Sequence, residues 1–435
     1  MNENTPVAHC DLLIVGAGPA GMAAAVAAAP SGACIVLIDD NPAPGGQIWR
    51  DGPRASPPPE ARRLRDALAR CVNVRVCSGT RVAAAPAPGH LLLEDAERGW
   101  LLRYAKLILC IGARELLLPF PGWTLPGVTG AGGLQALVKG GLPVAGERVV
   151  IAGSGPLLLA AAATAVQAGA RVPRIAEQAP LAELARFALQ LARWPGKARQ
   201  AATLFKSSYR THSHVLAATG DGRVESVRLR RGDGTIEEIA CDRVANGFGL
   251  VPNTELGQLL GCGLVAHQGA PALAVDANQR TRLAGVYAAG ECTGVGGSER
   301  ALVQGSMAGF HAVGLAARAD ALRPELARWD AFAARLHRCF ALDEALRALP
   351  APDTLVCRCE DVPHGALADR RGWVDAKLHT RCGMGACQGR VCGAATRFMF
   401  GWTPPAPRPP LFPVRVSTLA IPVPPAAPTA DWPAD

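Results

Sequence analysis

The chain has 435 residues, of which 49% are apolar and 19% charged. That balance excludes a disordered chain, a coiled coil and a collagen-like fibre, and the length suits two or three domains. Aromatics reach only 5%, too few for base-stacking platforms. The net charge of +9 is scattered and is carried almost wholly by arginine, so no basic stripe marks a nucleic-acid face.

The opening MNENTPVAHCD is polar and lacks a basic segment followed by an apolar one, so no secretory leader is expected. Two apolar stretches, residues 16–38 and 149–172, approach the length of a membrane span. Glycine and proline interrupt each near its start. A cytoplasmic chain without a transmembrane segment is expected.

Residues 11–15, Asp-Leu-Leu-Ile-Val, form a short apolar run of the kind buried in a parallel sheet. Gly16-Ala17-Gly18-Pro19-Ala20-Gly21 follows and opens onto helix-favouring residues 22–29. A second strand, 34–38, ends at Asp39. In this strand–turn–helix–strand context the glycines read as a dinucleotide fingerprint. Gly16 permits the tight turn, Gly18 lets backbone approach a pyrophosphate, and Gly21 lets helix and strand close together. The helix N-terminus offers N–H groups to the phosphates, and Asp39 can accept hydrogen bonds from a ribose diol.

The unit repeats. Residues 149–152 lead into Gly153-Ser154-Gly155-Pro156-Leu157-Leu158 and an alanine-rich helix, with a further strand at 171–175. Here Leu158 stands where a third glycine or alanine is usual, and its side chain presses between helix and strand. Glu177 is the candidate ribose acid, and Arg174 reads as a solvated arginine, with contact to a 2′-phosphate the alternative. The site reads as degenerate or repurposed rather than as an efficient NAD(P)H site. No C-x-x-C lies in this segment, so a dithiol relay is not expected.

Between the two units, residues 119–141 are punctuated by Pro and Gly. Residues 181–205 predict a helix broken near Pro195 and Gly196. Residues 223–239 predict short strands around Gly232-Asp233-Gly234, a hairpin signal. Residues 325–349 predict an amphipathic helix. Beyond Trp402 the chain is proline-rich and is expected to lie extended on a surface.

Thr281-Arg-Leu-Ala-Gly-Val-Tyr-Ala-Ala-Gly290-Glu291 is a strand ending in glycine and an acid. It resembles the second FAD motif of two-dinucleotide-domain flavoproteins, with Glu291 where Asp is usual. Pro44-Gly45-Gly46-Gln47 and Ile111-Gly112-Ala113-Arg114 match positions near the flavin in that family. The resemblance implies an α/β fold with two Rossmann-like dinucleotide-binding domains, the second inserted in the first. Residues 1–113 and 243–345 would form a split FAD domain, and 114–242 the inserted domain. FAD would then be held by the first glycine turn, Asp39 and its neighbour Asp40, Gly46 and Gln47, Gly112 and Ala113, and Gly290 and Glu291. Gly153, Gly155 and Pro156 would form the second nucleotide site.

Of fourteen cysteines, five crowd into residues 357–392. Cys357-Arg-Cys359 is a C-x-C pair, and Cys387-Gln-Gly-Arg-Val-Cys392 a C-x4-C pair. Four thiolates in two close pairs suit one compact metal centre, with 2Fe-2S the leading reading. Structural zinc, disulfides and a redox-silent remnant are the alternatives. Cys382 is a fifth thiol, read as a neighbour of the ligands. His364 and His379 lie within the module, where they can tune a cluster. His212 and His214 read as surface features.

The cysteine pattern resembles the bacterioferritin-associated-ferredoxin type of 2Fe-2S fold, a small helical domain over residues 353–400, followed by a proline-rich tail over 401–435. The run Thr380-Arg-Cys-Gly-Met-Gly-Ala-Cys-Gln-Gly-Arg390 makes the resemblance narrower, as do Asp39-Asp-Asn-Pro-Ala-Pro-Gly-Gly-Gln-Ile-Trp-Arg50 and Arg408-Pro-Pro-Leu-Phe-Pro-Val414. Together they resemble the family of opine oxidase A subunits, hydrogen cyanide synthase B subunits and the alpha subunits of D-hydroxyproline dehydrogenases. That resemblance implies an electron-transfer subunit carrying FAD and a 2Fe-2S cluster. Its partner would be an FAD-dependent catalytic subunit similar to amino-acid oxidases. A small ferredoxin-like subunit is a further option. A second nucleotide, NAD(P), ATP or FMN at a subunit interface, is also left open. No catalytic acid–base residue is expected on this chain. The alternative is a stand-alone NAD(P)H-dependent reductase that passes electrons through its cluster.

Overall fold

The computed structural model describes residues 8–423. Residues 1–7 and 424–435, the ends of the polar opening and of the proline-rich tail, lie outside the described residues. Strand His9–Val15 is apolar on both faces, with Leu12, Leu13 and Ile14 buried, and so sits inside a sheet. Its parallel neighbours are Ile35–Ile38 and Gly99–Leu109. The sheet order is Val74–Cys77, Ile35–Ile38, His9–Val15, Gly99–Leu109, His90–Glu94 and Arg81–Ala87.

Strand Gly99–Leu109 serves two neighbourhoods. Its first half pairs antiparallel with His90–Glu94, and its second half pairs parallel with the late strand Val286–Ala288. The return of residues 286–288 brings Gly290 and helix Ser298–Ala312 onto the first glycine unit. That helix crosses Pro19–Ala28 at very close range. A Cβ on Gly305 would lie 2.1 Å from the Ala20 carbonyl oxygen, and one on Gly309 2.3 Å from that of Ala24.

The second sheet is wholly parallel, in the order Tyr209–Arg210, Arg171–Glu177, Arg148–Gly153, Arg243–Gly247 and Val128–Gly130. An antiparallel sheet of Ser213–Thr219, Ser226–Arg231 and Ile236–Ala240 stands beside it. The expected hairpin at Gly232-Asp233-Gly234 joins its last two strands. The expected break in 181–205 falls at Trp194, between Leu181–Gln190 and Pro195–Leu204, where Pro195 opens the second helix.

One expected element is shorter than its pattern. The amphipathic helix runs Arg323–Cys339 and ends before Phe340, instead of continuing to 349. Residues 340–343 are drawn aside by hydrogen bonds to Ser154 and Gln178, and a short 3-10 turn, Glu344–Ala348, follows with Asp343 as its cap.

The C-terminal module has a core of Val356, Val362, Leu367, Trp373 and Ala376, with helices Trp373–Thr380 and Cys392–Phe400. The described part of the tail lies on the first sheet. Leu411 N–H donates to the Ala83 carbonyl at 2.8 Å, and Thr418 Oγ1 donates to Glu94 Oε2 at 2.6 Å.

Candidate cofactor sites

The first glycine turn lies at the carboxyl edge of the first sheet, where open α/β sheets bind ligands. Gly16 has φ +102°, and a Cβ there would meet the Cys110 carbonyl oxygen at 2.2 Å. A Cβ on Gly21 would lie 1.7 Å from the Gly16 oxygen. The turn therefore demands both glycines. Gly18 is the N-cap of Pro19–Ala28, which begins with Pro19 and Ala20. Gly46 comes so near Gly18 that a Cβ on it would lie 2.9 Å from the Gly18 Cα. Gly112 (φ +65°) and Ala113 follow the end of strand Gly99–Leu109, and Gly290 follows Val286–Ala288. The three strand ends thus bring the expected FAD residues to one edge. Bare backbone at this edge fits a dinucleotide pyrophosphate.

The acids at this edge have internal partners. Asp39 is buried, and its Oδ2 accepts from the Ala17 N–H while Oδ1 accepts from Asn41 N and Nδ2 at 2.8 and 2.7 Å. It braces the glycine turn. Asp40, next to it, is exposed. Glu291 accepts from the Gly297 and Gly296 N–H groups at 3.0 and 3.4 Å, just ahead of helix Ser298–Ala312. Burial pushes its carboxyl above the usual range, and those two donors oppose the shift. Gln47 is exposed and accepts from Arg50.

In the second unit, Leu158 is fully buried against the sheet. Glu177 is also fully buried; its Oε2 accepts from the Gly155 N–H (2.8 Å) and Tyr209 Oη (3.2 Å), and its Oε1 from the Ala179 N–H (3.0 Å). Burial raises its pKa to about 7. Arg174 pairs with Glu237.

The module gathers all five cysteines. The Cys357, Cys382 and Cys392 sulfurs lie within 4.8 Å of one another and are buried. Cys359 is exposed and contacts Cys387 through that residue's backbone N–H and thiol. The fold therefore pairs the first cysteine of C-x-C with the last of C-x4-C, and the inner two with each other. Cys382 joins the outer pair, a closeness that the spacing did not foretell. Contacts with Cys382 and Cys392 pull the Cys357 thiol down to about 2, and Cys382 is pushed up to about 12 by the Cys357 thiol. The Cys357 and Cys382 thiols push Cys392 up as well, so the trio holds one ready thiolate, and three clustered sulfurs offer soft ligands to a thiophilic cation.

Glycines set this geometry. A Cβ on Gly385 would lie 2.2 Å from Cys359 Cβ, and ones on Gly383 and Gly389 would strike the Trp373 ring at 2.5 and 2.8 Å. His364 stacks on Phe400 at 5.4 Å, and His379 pairs with Asp375 at 3.2 Å.

Sequence reasoning missed the bridge between module and first turn. Arg114 Nε donates to the Arg390 carbonyl at 3.1 Å, and its Nη1 donates to Asn253 Oδ1 at 2.7 Å and meets Glu255 at 2.8 Å. Asn253 in turn donates to the carbonyls of Ile111 and Gly112. Trp123 Nε1, which packs with the second sheet, ties that part of the chain to the module through the Leu355 carbonyl at 2.6 Å.

Residues 10–313 match the family model described as pyridine nucleotide-disulphide oxidoreductase. The chain belongs to that family. This oxidoreductase is 33% identical over 431 residues to the opine oxidase A subunit of Agrobacterium tumefaciens (strain Ach5), spanning 88% of the chain and 84% of that protein. It is 31% identical over 456 residues to the HcnB subunit of hydrogen cyanide synthase from Pseudomonas aeruginosa, spanning 94% and 97%. Among solved structures it is similar to L-proline dehydrogenase from P. horikoshii, with a TM-score of 0.65 and 18% identity over 96% of the chain and 81% of that one. This oxidoreductase thus has a Rossmann-type α/β fold and belongs to a flavin-dependent enzyme family whose members include subunits of larger enzymes. No helix among its described residues is long and apolar enough to cross a membrane.

Proposed function

We propose that this oxidoreductase is the FAD- and 2Fe-2S-carrying electron-transfer subunit of a heteromeric dehydrogenase or oxidase. The complex would act on C–N bonds of opines, proline-like amino acids or amines, in the cytoplasm. The observation that carries this reading is the joining of a five-thiol module to the Gly112 turn through Arg114 and Arg390. Such a link serves two redox groups that must be held at a fixed short separation.

Cys357, Cys359, Cys387 and Cys392 are the proposed cluster ligands, with Cys382 as a close neighbour. The backbone of Gly16, Gly18, Pro19, Ala20 and Gly21, with Gly46, Gly112, Ala113 and Gly290, forms the proposed FAD cradle. Asp39 and Glu291 keep that cradle in shape. When bound, flavin supplies hydride chemistry and the cluster single-electron chemistry. The chain's own work is to orient both groups and hold them at a fixed separation. Substrate chemistry belongs to a catalytic partner similar to amino-acid oxidases, and relatives named as subunits support a partnered enzyme.

The test is a titration of the anaerobically purified chain. Neither NADH, NADPH nor a C–N substrate should bleach its visible bands, whereas the complex with its catalytic partner should be bleached by substrate. Rapid bleaching of the lone chain by either nucleotide would make it a reductase in its own right.

A further inference from the structure

The second glycine turn already has an occupant. The end of helix Arg323–Cys339 delivers residues 340–343 directly onto it. Ser154 Oγ donates to the Phe340 carbonyl at 3.0 Å, and Gln178 Nε2 donates to the Ala341 carbonyl at 2.7 Å. Gln178 Oε1 accepts from the Asp343 N–H at 3.0 Å, and Gln178 Nε2 also reaches Ser154 Oγ at 3.1 Å. Two buried side chains thereby read three backbone groups of one short segment. The Phe340 ring lies 3.9 Å from where a Cβ on Gly155 would stand, and it meets the Phe187 ring edge-on at 5.8 Å.

N–H groups of this turn have internal partners, as in the first turn, where Gly16 N–H donates to Ile38 and Ala17 N–H to Asp39. Ser154 N–H donates to the Gly247 carbonyl at 2.7 Å, Gly155 N–H to Glu177 at 2.8 Å, and Leu158 N–H to the Gly155 carbonyl at 3.1 Å. Pro156 has no N–H to offer. The turn keeps the shape of a dinucleotide site, but the Phe340 ring and the backbone of 340–343 lie against it.

We infer that the Gly153–Leu158 turn, with Ser154 and Gln178, is a receptor for the chain's own segment 340–343 and takes no pyridine nucleotide. Its ligand class is a peptide backbone, read through two carbonyls and one N–H. The segment precedes the cysteine module by only about a dozen residues, so the receptor fixes the root of that module. A site inherited from nucleotide binding has become an anchor for the redox module. These contacts hold the segment in place whatever the substrate of the complex.

Hydrogen exchange on the full, cofactor-loaded chain tests it. The Asp343 amide should be protected, and millimolar NADH, NADPH or ADP-ribose should leave that protection unchanged. Gln178→Ala should speed exchange at Asp343 by roughly fivefold or more, the loss expected for one buried hydrogen bond, while Val150 and Ile151 amides stay as they were. Ser154→Ala, a smaller deletion, should loosen the same segment if the first variant is poorly folded. Acceleration of Asp343 exchange by a nucleotide, or micromolar nucleotide binding to the wild-type chain, would overturn the inference. So would unchanged Asp343 exchange in folded Gln178→Ala.

Discussion

The guanidinium of Arg114 reaches the backbone carbonyl of Arg390 across 276 residues of sequence, at 3.1 Å. Through Asn253 the same side chain also supports the Gly112 turn. Its charge is matched by Glu255 at 2.8 Å, in a setting where both side chains are mostly buried. Charge-assisted bonds with such planar geometry are stronger than neutral ones. Arg114→Ala should therefore weaken the module's seat by about 2 kcal/mol. The expected result is faster amide exchange in residues 387–392, with exchange in strand residues 12–14 unchanged. Arg114→Lys should recover only part of the effect, because a point charge cannot form the fork.

The proposed cluster gives the thiols different roles. Cys387→Ser should yield a folded flavoprotein that lacks cluster absorbance, and Cys392→Ser the same. Cys382→Ser should keep the cluster. Iron and sulfide content together with visible absorption read the difference. A cluster lost from Cys382→Ser but kept in Cys387→Ser would reassign the fourth ligand to Cys382.

Glu94 holds the tail to the first sheet. Burial pushes its carboxyl up, but hydrogen bonds from Arg81, Thr418 and the Arg415 N–H, and the Arg415 charge, outweigh this and hold it at about 2. A carboxyl depressed in the folded state stabilises above its unfolded pKa, and that stabilisation is lost as pH falls toward the folded value. Tail docking should thus be intact at neutral pH and should fade below about pH 4. Proteolysis or exchange over residues 411–419 follows it. Glu94→Gln should expose the tail already at neutral pH.

Glu177 behaves in the opposite sense. Burial raises its pKa to about 7 against the opposing pull of the Ala179 and Gly155 N–H groups and Tyr209. The folded chain then holds this proton more tightly than the unfolded chain. Its contribution is complete below the unfolded value of about 4.3 and is lost as pH rises through about 7. The loss is on the order of 3 kcal/mol. Thermal unfolding of the wild type should show this decline between about pH 4 and about pH 8. Glu177→Gln should flatten it.

What the sequence revealed and what it hid divide along contact range. The two glycine turns were legible because strand, turn, helix and second strand are contiguous, although the backbone that Gly16 and Gly153 must clear, at Cys110 and Gly247, is distant in sequence. Leu158 flagged the second turn as altered for the same reason. The roles of Asp39 and Glu177 as internal braces were not legible, since sequence places an acid near a turn without saying which N–H groups it faces. Gly305 and Gly309 passed unnoticed, because their partners, the Ala20 and Ala24 carbonyls, lie far away in the chain. The same holds for Arg114 with Arg390 and for the segment 340–343 on Ser154 and Gln178. Amphipathic patterning carried the predicted helix on to residue 349, but long-range hydrogen bonds ended it at Cys339. Cys382 is drawn to Cys357 by a loop in which Gly383 and Gly389 close on Trp373, a geometry that spacing does not encode.

The most direct test is the cofactor content of the chain itself. The protein, purified anaerobically, should be assayed for flavin, iron, acid-labile sulfide and zinc, and its reduced form examined by electron paramagnetic resonance. The account predicts one flavin with iron and sulfide in equal amounts and the signal of a reduced 2Fe-2S centre. Stoichiometric zinc without sulfide, or a metal-free module in a folded flavoprotein, would contradict it.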